Sequence, residues 1–138
     1  GMLYIWENGV QVSNKIIKLQ NTFNSNVVAS NSNFYALGVD STVYKISIDG
    51  SFMSVKIPDC TAKNGYICVA KNFRKDNCGV FVCPDSNVLY GFTEGLELIS
   101  GFPLVGYGIP AFADVNGDKS LDCITLSIDN KLNAWNLR

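Results

Sequence analysis

Histidine is absent from the 138 residues of this chain. Its absence excludes serine–histidine and cysteine–histidine nucleophile pairs within one chain, and every histidine-ligated metal site. Charge is sparse as well: eleven basic and twelve acidic residues, 17% of the total, leave a net charge of −1. That balance supplies no broad basic face, so no nucleic-acid partner is expected. No apolar run approaches the ~18–20 residues of a helical bilayer span, and no membrane span is expected. Nor does a signal-peptide pattern open the chain. What is abundant is apolar material, 47% of the residues, which provides for a core and excludes intrinsic disorder. The length is that of one ordinary domain.

The five cysteines, Cys60, Cys68, Cys78, Cys83 and Cys123, cannot all pair, and no C-x-x-C pattern occurs. Neither a zinc knuckle nor a redox motif is indicated, and the five read as buried free thiols. Cys78 and Cys83 are five positions apart and face opposite sides of any strand that carries both, which excludes a local bond between them.

Helical periodicity is lacking throughout. Apolar residues instead alternate with polar ones in short runs, as in Val43–Asp49 and Cys123–Ile128, cut by Asn, Asp, Ser and Gly. Fifteen Asn and twelve Gly supply the turn positions that such strands need. The chain reads as all-β.

The pattern also repeats. Asp40-Ser41-Thr42-Val43-Tyr44, Asp85-Ser86-Asn87-Val88-Leu89-Tyr90 and Asp129-Asn130-Lys131-Leu132-Asn133-Ala134-Trp135 each start with Asp and a polar turn and enter a strand with a large side chain. Their aspartates are spaced by 45 and 44 positions. Leu3-Tyr4-Ile5-Trp6 matches the strand that ends in Trp135 but lacks the turn. Repeats of ~40–50 residues and about four strands are the signature of β-propeller blades.

The spacing predicts thirteen strands in about three four-stranded blades, incomplete at both ends: a partial blade over 2–20, blades over 26–60 and 64–102, and a partial blade over 107–138. The last strand of the 64–102 blade is expected at Leu96–Ser100. Closed propellers have about four to eight blades, so uncovered sheet edges seek partners. Self-association, or the remaining blades of a longer propeller, is the expectation.

One segment carries site chemistry: Asp114-Val115-Asn116-Gly117-Asp118-Lys119-Ser120-Leu121-Asp122. Side-chain oxygens stand at loop positions 1, 3, 5 and 9, with the Ser120 carbonyl at position 7. Calcium takes six to eight oxygen ligands, and alternate residues of a tight loop can supply them. Three carboxylates so close together repel one another without a cation, so the ion would act as a structural clip. An EF-hand is excluded, because position 12 is Thr125, position 6 is Lys119 rather than glycine, and a strand follows instead of a helix.

Gly101-Phe102-Pro103, Ile109–Asp118 and Leu121-Asp122 together resemble the blade opening of FG-GAP and VCBS repeats of integrin-type β-propellers. The resemblance implies an acidic loop joining the first two strands of a blade and holding calcium. It assigns the metal ligands to Asp114, Asn116, Asp118 and Asp122 by side chain and to Ser120 by backbone. Lys119 departs from the family, which usually has glycine there. The match covers Gly101–Arg138. The corresponding loops of the earlier blades, Ala70–Asp76 and Ala29–Phe34, are basic and shortened, so one site per chain is expected. Family analogy also implies an extracellular, periplasmic or surface location.

Trp6, Tyr90, Phe92 and Trp135 occupy corresponding strands and read as packing between blades; a sugar-stacking platform is the alternative. Glu94 and Glu97 form a carboxylate pair on a turn, which solvation explains as well as glycoside chemistry does. Gly101, Gly106 and Gly108 do not make a phosphate loop. The expected role is a non-catalytic binding or scaffolding module with a protein or glycan ligand. The alternatives are part of a polysaccharide-acting, lyase-like propeller enzyme, or a lectin-like module.

Overall fold

The structure, a computed structural model, describes residues 2–7, 10–23, 25–58, 60, 62–74, 77–84 and 87–137. Thirteen strands in four antiparallel sheets account for its regular structure. The first sheet pairs β1 (Met2–Glu7) with β2 (Val10–Lys18). The second holds β3 (Val28–Ser30), β4 (Asn33–Leu37), β5 (Thr42–Ser47) and β6 (Phe52–Lys56) in sequence order. The third holds β7 (Tyr66–Arg74), β8 (Asn77–Cys83), β9 (Val88–Thr93) and β10 (Leu104–Val105). The fourth holds β11 (Tyr107–Ala113), β12 (Asp122–Leu126) and β13 (Leu132–Asn136). Each sheet is a meander, so the local alternation of the sequence suffices to build it.

The repeated aspartates are turn-formers. Asp40 accepts the Thr42 amide at 3.1 Å, and Asp49, which is outside the repeat, makes the same turn by accepting that of Ser51 at 2.9 Å. The intervening Ser41 and Gly50 take the left-handed conformation, with φ of 66° and 95°, where a short polar residue or glycine is best tolerated. Asn130 does the same at φ 62° beside Asp129, which is bonded to Ser127 and Lys131. The middle copy's Asp85 and Ser86 lie outside the described residues. Burial alone pushes Asp40 up, but hydrogen bonds from Asn21, Thr42 and Lys56 outweigh it and hold the carboxyl well below its usual range.

One predicted strand takes a different form. Leu96–Ser100 is not a continuous fourth strand. Leu98 bridges Phe92, and regular pairing resumes only at Leu104↔Leu89 and Val105↔Val88. Between them the chain turns at Gly101, φ 94°, and runs through a cis Phe102–Pro103 peptide. The extra residues let Phe102 fold inward, where it is 7% exposed and its ring lies 5.6 Å from that of Phe81. Burial of this aromatic side chain offsets the regular pairing that is skipped at Tyr90 and Gly91.

Side-chain alternation stacks the sheets on one another. On β5, Tyr44 and Ile46 turn to a cluster with Ile17 and Leu19 beside the first sheet, while Val43 turns to the next. On β8, Val80 and Val82 join Tyr35, Leu37 and Val43. The intervening Phe81 and Cys83 join Cys123, with Phe112 and Trp135 packed against them. A strand with period two and two apolar faces is thus a wall shared by two cores. Sheets of four and three strands arrayed in this way give the all-β, propeller-like architecture that the repeat spacing predicts.

Candidate functional site

The same alternation continues into the fourth sheet, but there only one face is covered. Cys123 and Thr125 on β12 are buried against the third sheet, whereas Leu126 is exposed and Ile124 half-buried. Register places Tyr107 beside Leu126 and Leu126 beside Leu132, with Ala111, Ile124 and Ala134 in the neighbouring row. Partners directly opposite in a ladder share a face, so these residues form one apolar patch. Ile109 and Leu132 are its most open members, 60% and 77% exposed. At the other end of the row of sheets, Met2 and Tyr4 are exposed on β1.

The acidic loop joins β11 to β12 at the rim of this patch. Asp114 leads it, its Oδ1 accepting the amides of Gly117 at 2.7 Å and Asp118 at 3.1 Å, and its Oδ2 that of Lys119 at 2.8 Å. Asn116 Oδ1 accepts from the Asp118 amide at 2.9 Å, and Asp118 Oδ1 from the Ser120 amide at 2.8 Å. Asp122, 2% exposed, accepts the Val115 amide at 3.1 Å and the Asn116 side-chain amide at 3.5 Å. The Asn136 side chain reaches Asp118 Oδ2 at 3.0 Å and ties the loop to β13. All five predicted ligands therefore sit in one loop, linked to one another.

The donor set suits a hard cation in kind, being oxygen throughout. Its arrangement is another matter: among the described residues no three carboxylate or thiol groups come together closely enough to hold an ion. Backbone amides and the side-chain amides of Asn116 and Asn136 meet the carboxylate oxygens, and the loop holds its shape through them. Lys119 takes φ 68°, a left-handed position at the point where the resembled family has glycine.

The aromatic expectations divide. Phe92 is buried, and Tyr90 stacks on it with ring centroids 6.4 Å apart. Trp135 is half-buried against the third sheet, its indole Nε1 donating to Thr125 Oγ1 at 3.1 Å. These three pack between sheets. The side chain of Trp6 lies outside the described residues, as do Lys75 and Asp76 of the basic loop.

Sequence reading missed what Glu94 does. Glu94 Oε1 accepts from Asn31 Nδ2 at 2.6 Å, across 63 positions of sequence. Both it and Glu97 line a cleft of about 510 Å³ between the second and third sheets. No local pattern announces a contact so distant in sequence.

No family model matches this chain, and no curated protein matches it. Among solved structures it is similar to BBS1N in complex with ARL6DN, soaked with lead, at 17% identity and a TM-score of 0.72 over all of this chain and 44% of that one. The same complex soaked with mercury matches at 17% identity and a TM-score of 0.71, over all of this chain and 41% of that one. This chain spans less than half the length of either neighbour. At that identity the likeness concerns the fold, and the fold is the one its repeats spell out: an all-β, propeller-like array of blades.

Proposed function

We propose that this chain is a non-catalytic binding and scaffolding module, and that the outer face of β11–β13 docks a second copy of the chain. The carrying observation is the uncovered apolar patch of Tyr107, Ile109, Leu126 and Leu132. It continues the alternation that buries Val80 and Val82 on one side of β8 and Phe81 on the other. The surface that best complements such a face is another propeller sheet, and the copy offers one at its opposite end, where Met2 and Tyr4 are exposed. The contact is head-to-tail, which closes into a ring or extends as a filament according to its rotation. The neighbour BBS1N was crystallised in complex with ARL6DN, which supports protein binding as the trade of such a propeller.

Mass in solution tests this reading. Light scattering across a hundredfold concentration range is expected to show assembly, and Ile109→Lys with Leu126→Lys to abolish it at an unchanged melting temperature. A monomer at every concentration refutes the docking of a copy.

Kinship with FG-GAP and VCBS repeats is also part of the proposal, supported by an acidic loop that joins the first two strands of its sheet. Calcium at this loop is carried forward on the oxygen-only donor set of Asp114, Asn116, Asp118, Ser120 and Asp122. Its measurement is a thermal melt with calcium and with a chelator; coincident melts retire the ion. A polysaccharide-acting role would draw on Glu94 and Glu97, which line one cleft, and a lectin-like role on aromatic faces such as that of Trp135.

A further inference from the structure

The first sheet has two strands, β1 and β2, where the second and third have four. Its Ile17, with Leu19 just beyond β2, lies against Tyr44 and Ile46 of β5. On β4, Tyr35 and Leu37 turn to the third sheet, so Phe34 and Ala36 turn toward the first. There, among the described residues, they meet a hollow of about 120 Å³. Met2, Leu19, Phe23 and Val27 line it with them, and every lining residue is apolar. A hollow of that kind holds an apolar group in preference to water. Val27 is 55% exposed beside it.

The fourth sheet is the counterpart of this gap. It has three strands, and Leu126 and Leu132 stand on the face turned away from the third sheet, both exposed. Within the chain the corresponding face is covered each time: Leu37 and Val43 of the second sheet meet Val80 and Val82, and Phe81 and Leu89 of the third meet Cys123. Two sheet edges are also open among the described residues, that of β13 and that of β1, which reaches the hollow through Met2. An open edge seeks a strand to pair with. A second copy of the chain meets all of these features. It brings an apolar sheet face to Phe34 and Ala36, and an open edge to β1.

We propose that the last sheet of a second copy enters this hollow, its β13 alongside β1 and its Leu132 seated on Phe34 and Ala36. This site rests on the docking of a copy through β11–β13, for which it is the receiving surface. Light scattering of the full chain and its variants tests it. Val27→Lys charges the mouth of the hollow, and Leu132→Asp charges the incoming face. Both residues are exposed, so Tm is expected to stay unchanged, and each substitution is expected to weaken assembly about tenfold. An equimolar mixture of the two variants brings opposite charges together at one junction per pair, and is expected to form dimers and nothing larger. Wild-type assembly that Leu126→Lys abolishes and Val27→Lys leaves intact overturns the proposal, while the docking of a copy stands. A mixture that stays monomeric overturns the seating of Leu132 in the hollow. A wild-type chain that is monomeric at every concentration overturns both, and a rise in its Tm with hexanol then assigns the hollow to a small apolar ligand.

Discussion

Tyr35→Phe removes one oxygen from the middle of the molecule and leaves the ring in place. The hydroxyl is buried and, among the described residues, has no hydrogen-bond partner, and a buried polar group without a partner costs about 1–3 kcal/mol. Phenylalanine conserves the packing against its neighbours, so the variant is expected to be more stable by about 1 kcal/mol, the low end of that range. For a domain of this size that raises Tm by about 3–4 °C. The alkaline limb supplies an independent readout. Burial first, then Glu94 and Cys78, push the phenol from 10.0 to about 12. Below pH 10 it is protonated whether the chain is folded or not. Between 10 and 12 only the unfolded chain releases the proton, so stability falls as pH rises, by at most about 1.4 kcal/mol per pH unit. The variant lacks that slope. Urea titrations of both proteins from pH 8 to 11.5 measure the difference. A variant less stable by more than about 1 kcal/mol would mean that the hydroxyl has a partner. Parallel alkaline limbs would place the phenol in water.

Lys119→Gly relieves a left-handed residue at φ 68°. After the entropy that glycine adds to the unfolded chain, a gain of about 0.5 kcal/mol is expected in urea denaturation, and a loss would show that the lysine side chain contributes contacts. Gly91→Ala places a methyl group 2.9 Å from the ring of Phe102. It should destabilise by about 1–3 kcal/mol, and an unchanged urea midpoint would show that the ring moves freely. Burial pushes the thiols of Cys68 and Cys123 up to about 12, which keeps them protonated near neutrality. At pH 8 the buried Cys123 should resist a disulfide reagent until denaturant is added and the half-buried Cys68 should react slowly, as read by mass spectrometry; rapid labelling of Cys123 in the native protein would contradict its burial.

Strands, turns and their repeat were legible because each depends on neighbours in sequence. Asp40 bonds two residues on, Asn130 takes a turn conformation that its side chain tolerates, and Val80 to Val82 alternate as the pleat dictates. The strand at Leu96–Ser100 misled for the opposite reason: Phe102 lies outside the segment and draws the chain away from its ladder to reach Phe81. The acidic loop was found by its spacing, but spacing does not say whether carboxylates face a common centre or their own amides. The cleft was illegible. Asn31, Cys78 and Glu94 come from two blades, and only the stacking of those blades brings them together.

A strand such as β8, with Val80 and Val82 serving one cluster and Phe81 and Cys83 another, leaves the molecule without a single centre. Its cohesion is a series of bonds between successive layers, closer to a stack of tiles than to a droplet. Damage therefore stays local and is felt most by adjoining layers. Hydrogen exchange in such a body should be graded, slowest in the middle strands of the second and third sheets and faster toward either end of the stack.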